Sequence, residues 1–192
     1  MRANPVANRG RVAEAPTFET ARLIVRGWRD DDIEAWAALN ADARVMEFFP
    51  NAYDRARSEA SAAAARSGLE RDGYGWWAVE VKCGPRFAGV VALQEVPFTA
   101  HFTPAFEIGW RLAHEAWGRG YATEAAQAIL SFAFDPLGKT EVVAMTAALN
   151  LRSQAVMRKL GMTRAPGDDF AHPLLEAGHR LRHHVLYRAK PP

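Results

Sequence analysis

A short segment with two glycines is where this chain could bind an anion. It joins a predicted strand to a predicted helix and reads Trp117-Gly118-Arg119-Gly120-Tyr121-Ala122. Glycines let the backbone turn its amide groups toward a ligand, and the start of the helix adds unpaired N–H groups and the positive end of its dipole. The segment therefore predicts a phosphate site, although two glycines also suit a simple tight turn.

Two familiar phosphate motifs do not describe this segment. A P-loop would place Gly-Lys-Ser or Gly-Lys-Thr here, and the segment contains neither. A dinucleotide fingerprint would need a third glycine at Thr123 and an acidic residue at the end of the next strand, whereas Glu141 stands before that strand. The wider sequence context must therefore identify the ligand.

The hydrophobic pattern predicts the elements that position this segment. Strands are predicted around Leu23 and Val25 and over residues 76–81, 87–96, 106–112, 141–147 and 183–189. Helices are predicted to follow the start signal Asp31/Glu34 and to cover residues 55–71, 122–134 and 150–160. This order predicts the α/β class, with a mixed sheet flanked by helices.

Composition favours one globular domain and argues against several classes of partner. The chain has 192 residues, with 24 Lys and Arg against 22 Asp and Glu, and its net charge of +2 does not favour a nucleic-acid partner. The longest uncharged apolar stretch, residues 125–134, is too short to cross a membrane. The single cysteine, Cys83, permits no internal disulfide, which agrees with a cytoplasmic location.

The beginning of the chain is expected to be a flexible arm. Residues 1–17 carry charges throughout and are interrupted by Pro5, Gly10 and Pro16. They lack the apolar run of a secretory signal. The sequence therefore predicts an N-terminal arm over residues 1–17 and a single domain over residues 18–190.

Two sequence blocks resemble the GNAT superfamily of N-acetyltransferases. The family pattern of Gln or Arg, two residues, Gly, one residue, and Gly or Ala matches residues 117–122, with Trp117 in place of the first polar residue. A second family block is matched by Asn150, Ser153 and the run Lys159-Leu160-Gly161-Met162. The branch is similar to the enzymes that acetylate the N-terminal alanine or serine of ribosomal proteins. The resemblance covers roughly Thr20 to Arg188.

The resemblance implies a fold, a donor substrate and the residues that hold it. The fold is a central, mostly antiparallel twisted sheet flanked by helices, and the donor is acetyl-CoA, used without a metal. Its pyrophosphate would lie on the amides of residues 118–123, and its pantetheine arm along Trp110 to Leu112. The implied binding residues are Trp110, Arg111, Leu112, Trp117, Gly118, Arg119, Gly120, Tyr121, Ala122, Thr123, Asn150 and Ser153.

Arginines near the two blocks could neutralise the phosphates of such a donor. Four of them are close in sequence, namely Arg111, Arg119, Arg152 and Arg158. A solvated surface position is the alternative for each, and we expect it for at least two.

Glu107 is the expected general base. Along the strand FEIGWRL, Glu107, Gly109 and Arg111 share one face, and an acid within an apolar strand is costly unless it is paired or useful. Its position resembles that of the base in this branch, whereas pairing with Arg111 or with solvent is the alternative. Glu95 is the second candidate base and His101 the third.

The group that protonates the departing thiolate is less obvious. Many GNAT enzymes use a tyrosine at the position that Met157 occupies here, and methionine cannot donate a proton. Ser153 or a bound water is the expected substitute. Asn150 is expected to hydrogen-bond the donor or to cap the helix that follows it, and both roles are compatible.

The acceptor is expected to be a primary amine, either a protein N-terminal α-amine or a small molecule. Five aromatic residues are predicted to line its pocket in part, with at least two of them in the core, and they are Trp76, Trp77, Phe98, Phe102 and Phe106. A highly charged polyamine would then be a poor acceptor. The protein would be a monomer or a homodimer. The rival function is a non-catalytic acyl-CoA-binding module, which the methionine at position 157 favours and Glu107 disfavours.

Overall fold

One eight-stranded sheet organises the chain in the computed structural model, which describes residues 15–192. In chain order the strands are β1 (Phe18–Glu19), β2 (Leu23–Arg26), β3 (Trp76–Val81), β4 (Gly89–Glu95), β5 (Phe106–Leu112), β6 (Val142–Ala147), β7 (Phe170–Ala171) and β8 (His183–Ala189). The helices are α1 (Asp32–Ala41), α2 (Ala43–Met46), α3 (Arg55–Asp72), α4 (Tyr121–Phe134) and α5 (Leu151–Lys159). The predicted α/β class, with helices flanking a mixed and mostly antiparallel sheet, is confirmed.

One pair of neighbouring strands, β5 and β6, differs from the rest of the sheet in its relative direction. The strand order is β1-β2-β3-β4-β5-β6-β8-β7, and every neighbouring pair is antiparallel except β5 and β6, which are parallel. A single residue pair, Glu107 with Val143, joins these two strands. Residues 108–112 of β5 and 144–147 of β6 are therefore not paired with each other, which leaves strand edges open to a ligand.

Helices cover both faces of the sheet. On one face, α4 buries Ala125, Ala126 and Ile129 against a core that includes Leu23 and Trp77. On the other face, a second core contains Trp36 and Leu39 of α1, Ala62 of α3 and Val90 of β4. Alternation along β5 assigns Ile108 and Leu112 to the α4 face, and Glu107, Gly109 and Arg111 to the α1/α3 face.

The predicted long elements are confirmed, and three short ones were not predicted. The two-residue strands β1 and β7 and the single-turn helix α2 are too short to show a hydrophobic period. The strands over residues 76–81, 106–112 and 183–189 have the predicted bounds. The period therefore located the elements that contribute most to the core.

The start signal predicted for α1 is confirmed in position, because Asp31 is the N-cap of the helix. Asp31 makes no side-chain capping bond. The neighbouring Asp32 accepts the amide of Arg29 at 2.7 Å and is buried beside the guanidinium of Arg26. The side chain that bonds to the backbone at this helix start is therefore that of Asp32, which also pairs with Arg26 of the preceding strand.

Most of the predicted N-terminal arm lies outside the described residues, which begin at Ala15. The last residues of that arm contact the core, since Ala15 packs against it and the carbonyl of Pro16 accepts the indole N–H of Trp77 at 2.9 Å. Within residues 15–192, no helix has both the length and the apolar character needed to span a membrane.

Candidate active site

A cavity of about 960 Å³ opens where β5 and β6 part. Its wall includes residues from both strands, from the start of α4, from α5 and from the segment after α2. Of the predicted site residues, the structure brings together Glu107, Trp110, Arg111, Leu112, Trp117, Gly118, Gly120, Tyr121, Ala122, Thr123, Asn150 and Ser153. Arg119 is the predicted site residue that is absent from this wall.

The glycine segment has the geometry of an anion site. Gly118 and Gly120 have φ values of 70° and 81°, in the left-handed region that favours glycine, and Gly120 is the N-cap of α4. No side chain caps this helix, so the amides of its first turn are left for a ligand. The buried face of α4 holds that first turn at the cavity.

Arg111 and Arg119 have different positions relative to the glycine segment. Arg111 lines the cavity from the α1/α3 face of β5, whereas the glycine segment opens α4 on the other face. Strand alternation is the physical reason. Arg119 is exposed, and its Nε donates to the carbonyl of Glu115 at 3.1 Å.

The other two arginines, Arg152 and Arg158, are exposed like Arg119, which agrees with the expectation of a surface position for at least two of the four. Arg152 lines the cavity but is paired with Glu47 at 2.6 Å and stacks 4.7 Å from the ring centroid of Trp117. Arg158 is absent from the cavity wall and contacts the hydroxyl of Tyr187 at 3.4 Å. Helical spacing on α5 points the two side chains in different directions.

Two cations that the sequence analysis missed lie beside the glycine segment. Arg22 and Lys159 line a second cavity of about 560 Å³, which shares Gly120 and Thr123 with the first. Arg22 is paired with Glu124 at 2.6 Å. Arg22 directly precedes β2 and Lys159 ends α5, so proximity in sequence to the glycines could not have identified Arg22.

Glu107 lies in the cavity wall with a strongly perturbed carboxyl. Burial raises the pKa of Glu107 to about 7, and a hydrogen bond from Gln94 opposes this rise only in part. Gln94 is its partner across β4 and β5 and itself accepts the indole N–H of Trp76 at 2.7 Å. The carboxyl retains some exposure because it faces the cavity.

Arg111 does not neutralise Glu107, although the two share a strand face. Its terminal nitrogen donates to Asn40 at 2.6 Å, and within residues 15–192 Glu107 is within 4 Å of no basic side chain. A carboxyl with a pKa near the working pH can exchange a proton readily. Glu107 thus has the chemistry of a general base.

The second and third candidate bases are not in the cavity wall. Glu95 pairs with Phe106, so it extends from the opposite face of the sheet, and it is exposed. His101 is exposed 3.7 Å from Asp168. The residue beside Glu107 is therefore Gln94, one position from the expected Glu95, because successive residues of a strand alternate between faces.

The start of α5 places Asn150, Ser153 and Met157 along one side of the cavity. Asn150 caps the helix, accepting the amide of Ser153 at 3.1 Å, while its own amide donates to Thr146 at 3.0 Å. Met157 is 1% exposed and belongs to the main core. Ser153 is the side chain of this group that carries a hydroxyl at the cavity.

Of the five aromatic residues predicted near the acceptor pocket, two line the cavity and three pack elsewhere, in agreement with the expectation that at least two belong to the core. Trp76 and Phe98 line the cavity. Trp77 and Phe106 pack on the α4 face, and Phe102 packs in a separate cluster with Val143 and Leu186. The sequence analysis missed three aromatic residues of the cavity wall that follow α2, namely Phe48, Phe49 and Tyr53.

Histidines close the far side of the cavity. His172, His179 and His184 are part of the wall, and burial lowers the pKa of His184 to about 4. His184 is therefore neutral at physiological pH and packs against the rings of His172 and Phe170. Among the described residues, no group of three or more His, Cys, Asp or Glu side chains is arranged to hold a metal ion.

Three features meet in this cavity: the separation of β5 from β6, the glycine at the start of α4, and the carboxyl of Glu107. Together with the fold they define the class of the protein as an acyltransferase. The family model of the acetyltransferase (GNAT) domain matches residues 22–163. The chain therefore belongs to the GNAT family of acetyltransferases. That family implies acetyl-CoA as the donor.

Several known proteins are similar to this chain. The FsC-acetyl coenzyme A-N(2)-transacetylase of Aspergillus fumigatus is 32% identical over 157 residues, which cover 77% of this chain and 65% of that relative. An acetyltransferase from Agrobacterium tumefaciens has a TM-score of 0.73 and 25% identity, and the match covers 92% of this chain and 95% of that structure. A putative ribosomal-protein-serine acetyltransferase from Vibrio cholerae shares the fold, with a TM-score of 0.74, 20% identity, and coverage of 91% and 97%.

Proposed function

We propose that this protein transfers an acetyl group from acetyl-CoA directly to a primary amine, with Glu107 as the general base. The observation that carries this proposal is a carboxyl of pKa about 7 in the wall of a cavity that also contains the uncapped start of α4. The active unit is a single domain over residues 18–190, preceded by the arm and located in the cytoplasm. The acceptor is a protein N-terminus or a small molecule.

The donor would lie across the part of the sheet where β5 and β6 separate. The first-turn amides of α4 would bind its pyrophosphate, with Lys159 beside them. Open backbone groups along residues 110–112 would bind the amide-containing arm as a neighbouring strand would. Both ends of this path line the same cavity.

The reaction needs a neutral amine and a proton acceptor. In the ionised state the Glu107 carboxylate accepts the proton that the amine releases, while the amine nitrogen forms a bond to the thioester carbonyl carbon. The carbon–sulfur bond then breaks, and the CoA thiolate takes a proton from water or from the Ser153 hydroxyl, which water reprotonates; Glu107 releases its proton to water. Met157 contributes packing only.

An α-amine is the easier acceptor for one carboxylate. At pH 7 a lysine-like amine with a pKa of about 10.4 must give up roughly 4.6 kcal/mol to be neutral, whereas an α-amine with a pKa near 7.8 gives up about 1 kcal/mol. The relative from Aspergillus fumigatus is named for transfer to an N(2) atom, which agrees with an amine acceptor. The preferred acceptor is therefore an α-amine or another weakly basic amine.

The test is Glu107→Gln, which keeps the shape and removes the base. Its acetylation rate at pH 7 should fall about 100-fold or more, the usual share of general-base catalysis. In the parent, kcat/KM should rise with pH as Glu107 ionises near pH 7. The loss in the variant should shrink at higher pH, where the amine deprotonates by itself.

Glu95→Gln is the matched control, because it makes the same change on the neighbouring strand but on the other face of the sheet. It should retain the parent rate. A parent rate in Glu107→Gln at pH 7 would overturn the base assignment, and a loss that does not depend on pH would assign Glu107 to acceptor positioning. Acetyl-CoA binding by calorimetry without turnover on any amine would favour the non-catalytic module instead.

A further inference from the structure

Two arginines are buried in one row across the α1/α3 face of the sheet. The register joins Arg26 of β2 to Ala78 of β3, Ala78 to Val90 of β4, and Val90 to Arg111 of β5. Arg26 is 4% exposed and Arg111 is 6% exposed. Burying a guanidinium is costly unless its charge and its donors find partners, so the surroundings of the two side chains are informative.

Arg26 is fully compensated. Its Nε donates to Glu80 at 2.7 Å, and its two terminal nitrogens donate to both oxygens of Asp32 at 2.8 and 2.9 Å. The carbonyls of Gly27 and Arg86 accept two further bonds. These five bonds match the five N–H donors of an arginine, so this cluster has no need of a ligand.

Arg111 is not compensated in this way. It makes one side-chain bond, to Asn40 at 2.6 Å, and its buried Nε has no partner among the described residues. Within that same part of the chain, no carboxylate lies within 4 Å of its guanidinium. Burial lowers the pKa of Arg111, and the hydroxyl of Tyr53 offsets this only in part.

Aromatic rings surround the Arg111 guanidinium in place of carboxylates. Its central carbon is 3.9 Å from the ring centroid of Phe49 and 5.3 Å from that of Tyr53. Arg57 stacks on the same Tyr53 ring at 4.0 Å, which adds a second cation. Rings hold a guanidinium in place and exclude water, but they do not neutralise its charge.

Arg111 also lines the same cavity as Glu107. The two residues share a face of β5, and four residues of a strand separate their Cα atoms by about 13 Å. Gly109 lies between them on that face, and a Cβ added there would meet open space. One face of β5 thus carries, in order, the carboxyl of Glu107, open space above Gly109 and the guanidinium of Arg111, which has no acidic partner among the described residues.

We propose that the acceptor amine carries a carboxylate, which Arg111 binds while Glu107 takes the proton from the amine. The inference rests on the proposed function and specifies its substrate class. A carboxylate would supply the anionic partner that Asp32 and Glu80 supply to Arg26, and a desolvated guanidinium–carboxylate contact is strong. The spacing along β5 favours a carboxylate several bonds from the amine, as in a short peptide with a free C-terminus.

The test compares two acceptors that differ in charge alone. A dipeptide with a free C-terminal carboxylate and the same dipeptide with a C-terminal carboxamide have similar shapes. With acetyl-CoA as donor, kcat/KM of the parent enzyme should be at least 10-fold higher for the carboxylate form at pH 8. This comparison uses the unaltered protein, so it does not depend on the stability of any variant.

Arg111→Gln should remove that preference by lowering kcat/KM for the carboxylate dipeptide at least 10-fold, with little change for the carboxamide. The dissociation constant of acetyl-CoA should stay within 2-fold of the parent, because the donor's arm would contact the backbone groups of residues 110–112, which the variant retains, and not the Arg111 side chain. A loss of acetyl-CoA affinity instead would mean that Arg111 binds a donor phosphate, and it would overturn the proposal. Circular dichroism of the variant reports whether the fold is kept.

The remaining outcomes separate this inference from the proposed function. Equal kcat/KM for the two dipeptides in the parent, or acetylation of uncharged or polycationic amines such as spermidine in preference to both, overturns the carboxylate proposal and leaves the acetyltransferase activity in place. Absence of acetyl transfer to every amine tested overturns the proposed function, and the carboxylate proposal with it.

Discussion

The α1/α3 face of the sheet carries two buried charged regions that differ in how their charges are balanced. The closed region contains Arg26, Asp32 and Glu80, where two carboxylates and two carbonyls satisfy one guanidinium. The open region contains Arg111 and Glu107 in the cavity wall, about 13 Å apart along one strand and without a direct contact. The pKa of Arg26 is raised because its two acidic partners outweigh burial, whereas burial lowers the pKa of Arg111.

This difference in charge compensation distinguishes charged residues that stabilise the fold from those expected to bind a substrate. A closed cluster satisfies its own hydrogen bonds, so removing one member leaves an unpaired group in the interior. An open cluster retains unsatisfied donors and a carboxyl with a raised pKa beside empty space, as expected for a site that a substrate completes. The two regions should therefore respond in opposite ways to the same chemical change, a carboxyl converted to an amide.

The largest expected effect is loss of stability when the closed region is broken. Asp32→Asn leaves the buried Arg26 with one carboxylate in place of two, and the free energy of unfolding should fall by about 3–5 kcal/mol. Urea denaturation measures this change. Glu59→Gln is the control on an exposed ion pair with Arg55, and it should cost about 0.2–1 kcal/mol.

The same carboxyl-to-amide change in the open region should not reduce stability at pH 8. The folded pKa of Glu107, about 7, is raised above its ordinary value of 4.5, so folding favours the protonated form and stability falls as pH rises from about 4.5 to 7. Glu107→Gln removes this dependence. If the free energy of unfolding of Glu107→Gln at pH 8 fell as much as that of Asp32→Asn, the two regions would not differ in the way described.

The next effect concerns the donor end of the open cavity. Gly120→Val puts a branched side chain at a φ of 81° where the amides of α4 begin, and acetyl-CoA affinity should fall at least 10-fold in calorimetry. Gly138→Val is the matched control, because Gly138 has a φ of 60°, open space at its Cβ and no place in either cavity wall. Equal affinity of both variants and the parent would remove the phosphate site from this loop.

The smallest effects are expected along α5. Ser153→Ala should lower the acetylation rate several-fold if the hydroxyl protonates the thiolate, since this side chain lies at the cavity. Met157→Leu should be nearly silent, with a stability change below about 1.5 kcal/mol, because it conserves volume in the core. A parent rate in Ser153→Ala across the pH range would identify water as the proton donor.

Periodicity and local signals were enough to identify the main elements and the glycine segment. The strand over residues 106–112 and the helices α4 and α5 follow from the periods of their apolar residues, and glycines or a capping asparagine mark where the two helices begin. Asn150 was predicted as a cap and is one. These features depend on residues a few positions apart, whose geometry the backbone itself sets.

Partners between distant segments could not be predicted in the same way. The choice of Gln94 over Glu95 beside Glu107 depends on strand register, and the aromatic wall that includes Phe49 comes from an irregular segment with no period. A one-residue change of register moves a side chain to the other face of a sheet. Sequence spacing therefore identified Glu107 as the candidate base but not the residues beside it.

The sequence by itself determined that the chain has a glycine segment between a strand and a helix, an acid within an apolar strand and the elements that hold them. Only the tertiary structure decided that carboxylates balance the charge of Arg26 and that, among the described residues, none balances the charge of Arg111, although both arginines lie within strands. The reason is that some partners of a buried charge come from segments far away in the chain, as Glu80 does for Arg26 at 54 residues and Asn40 does for Arg111 at 71 residues. The burial of an arginine and the pairing of its charge depend on how the sheet packs. They distinguish an arginine that stabilises the fold from one that is proposed to bind a ligand.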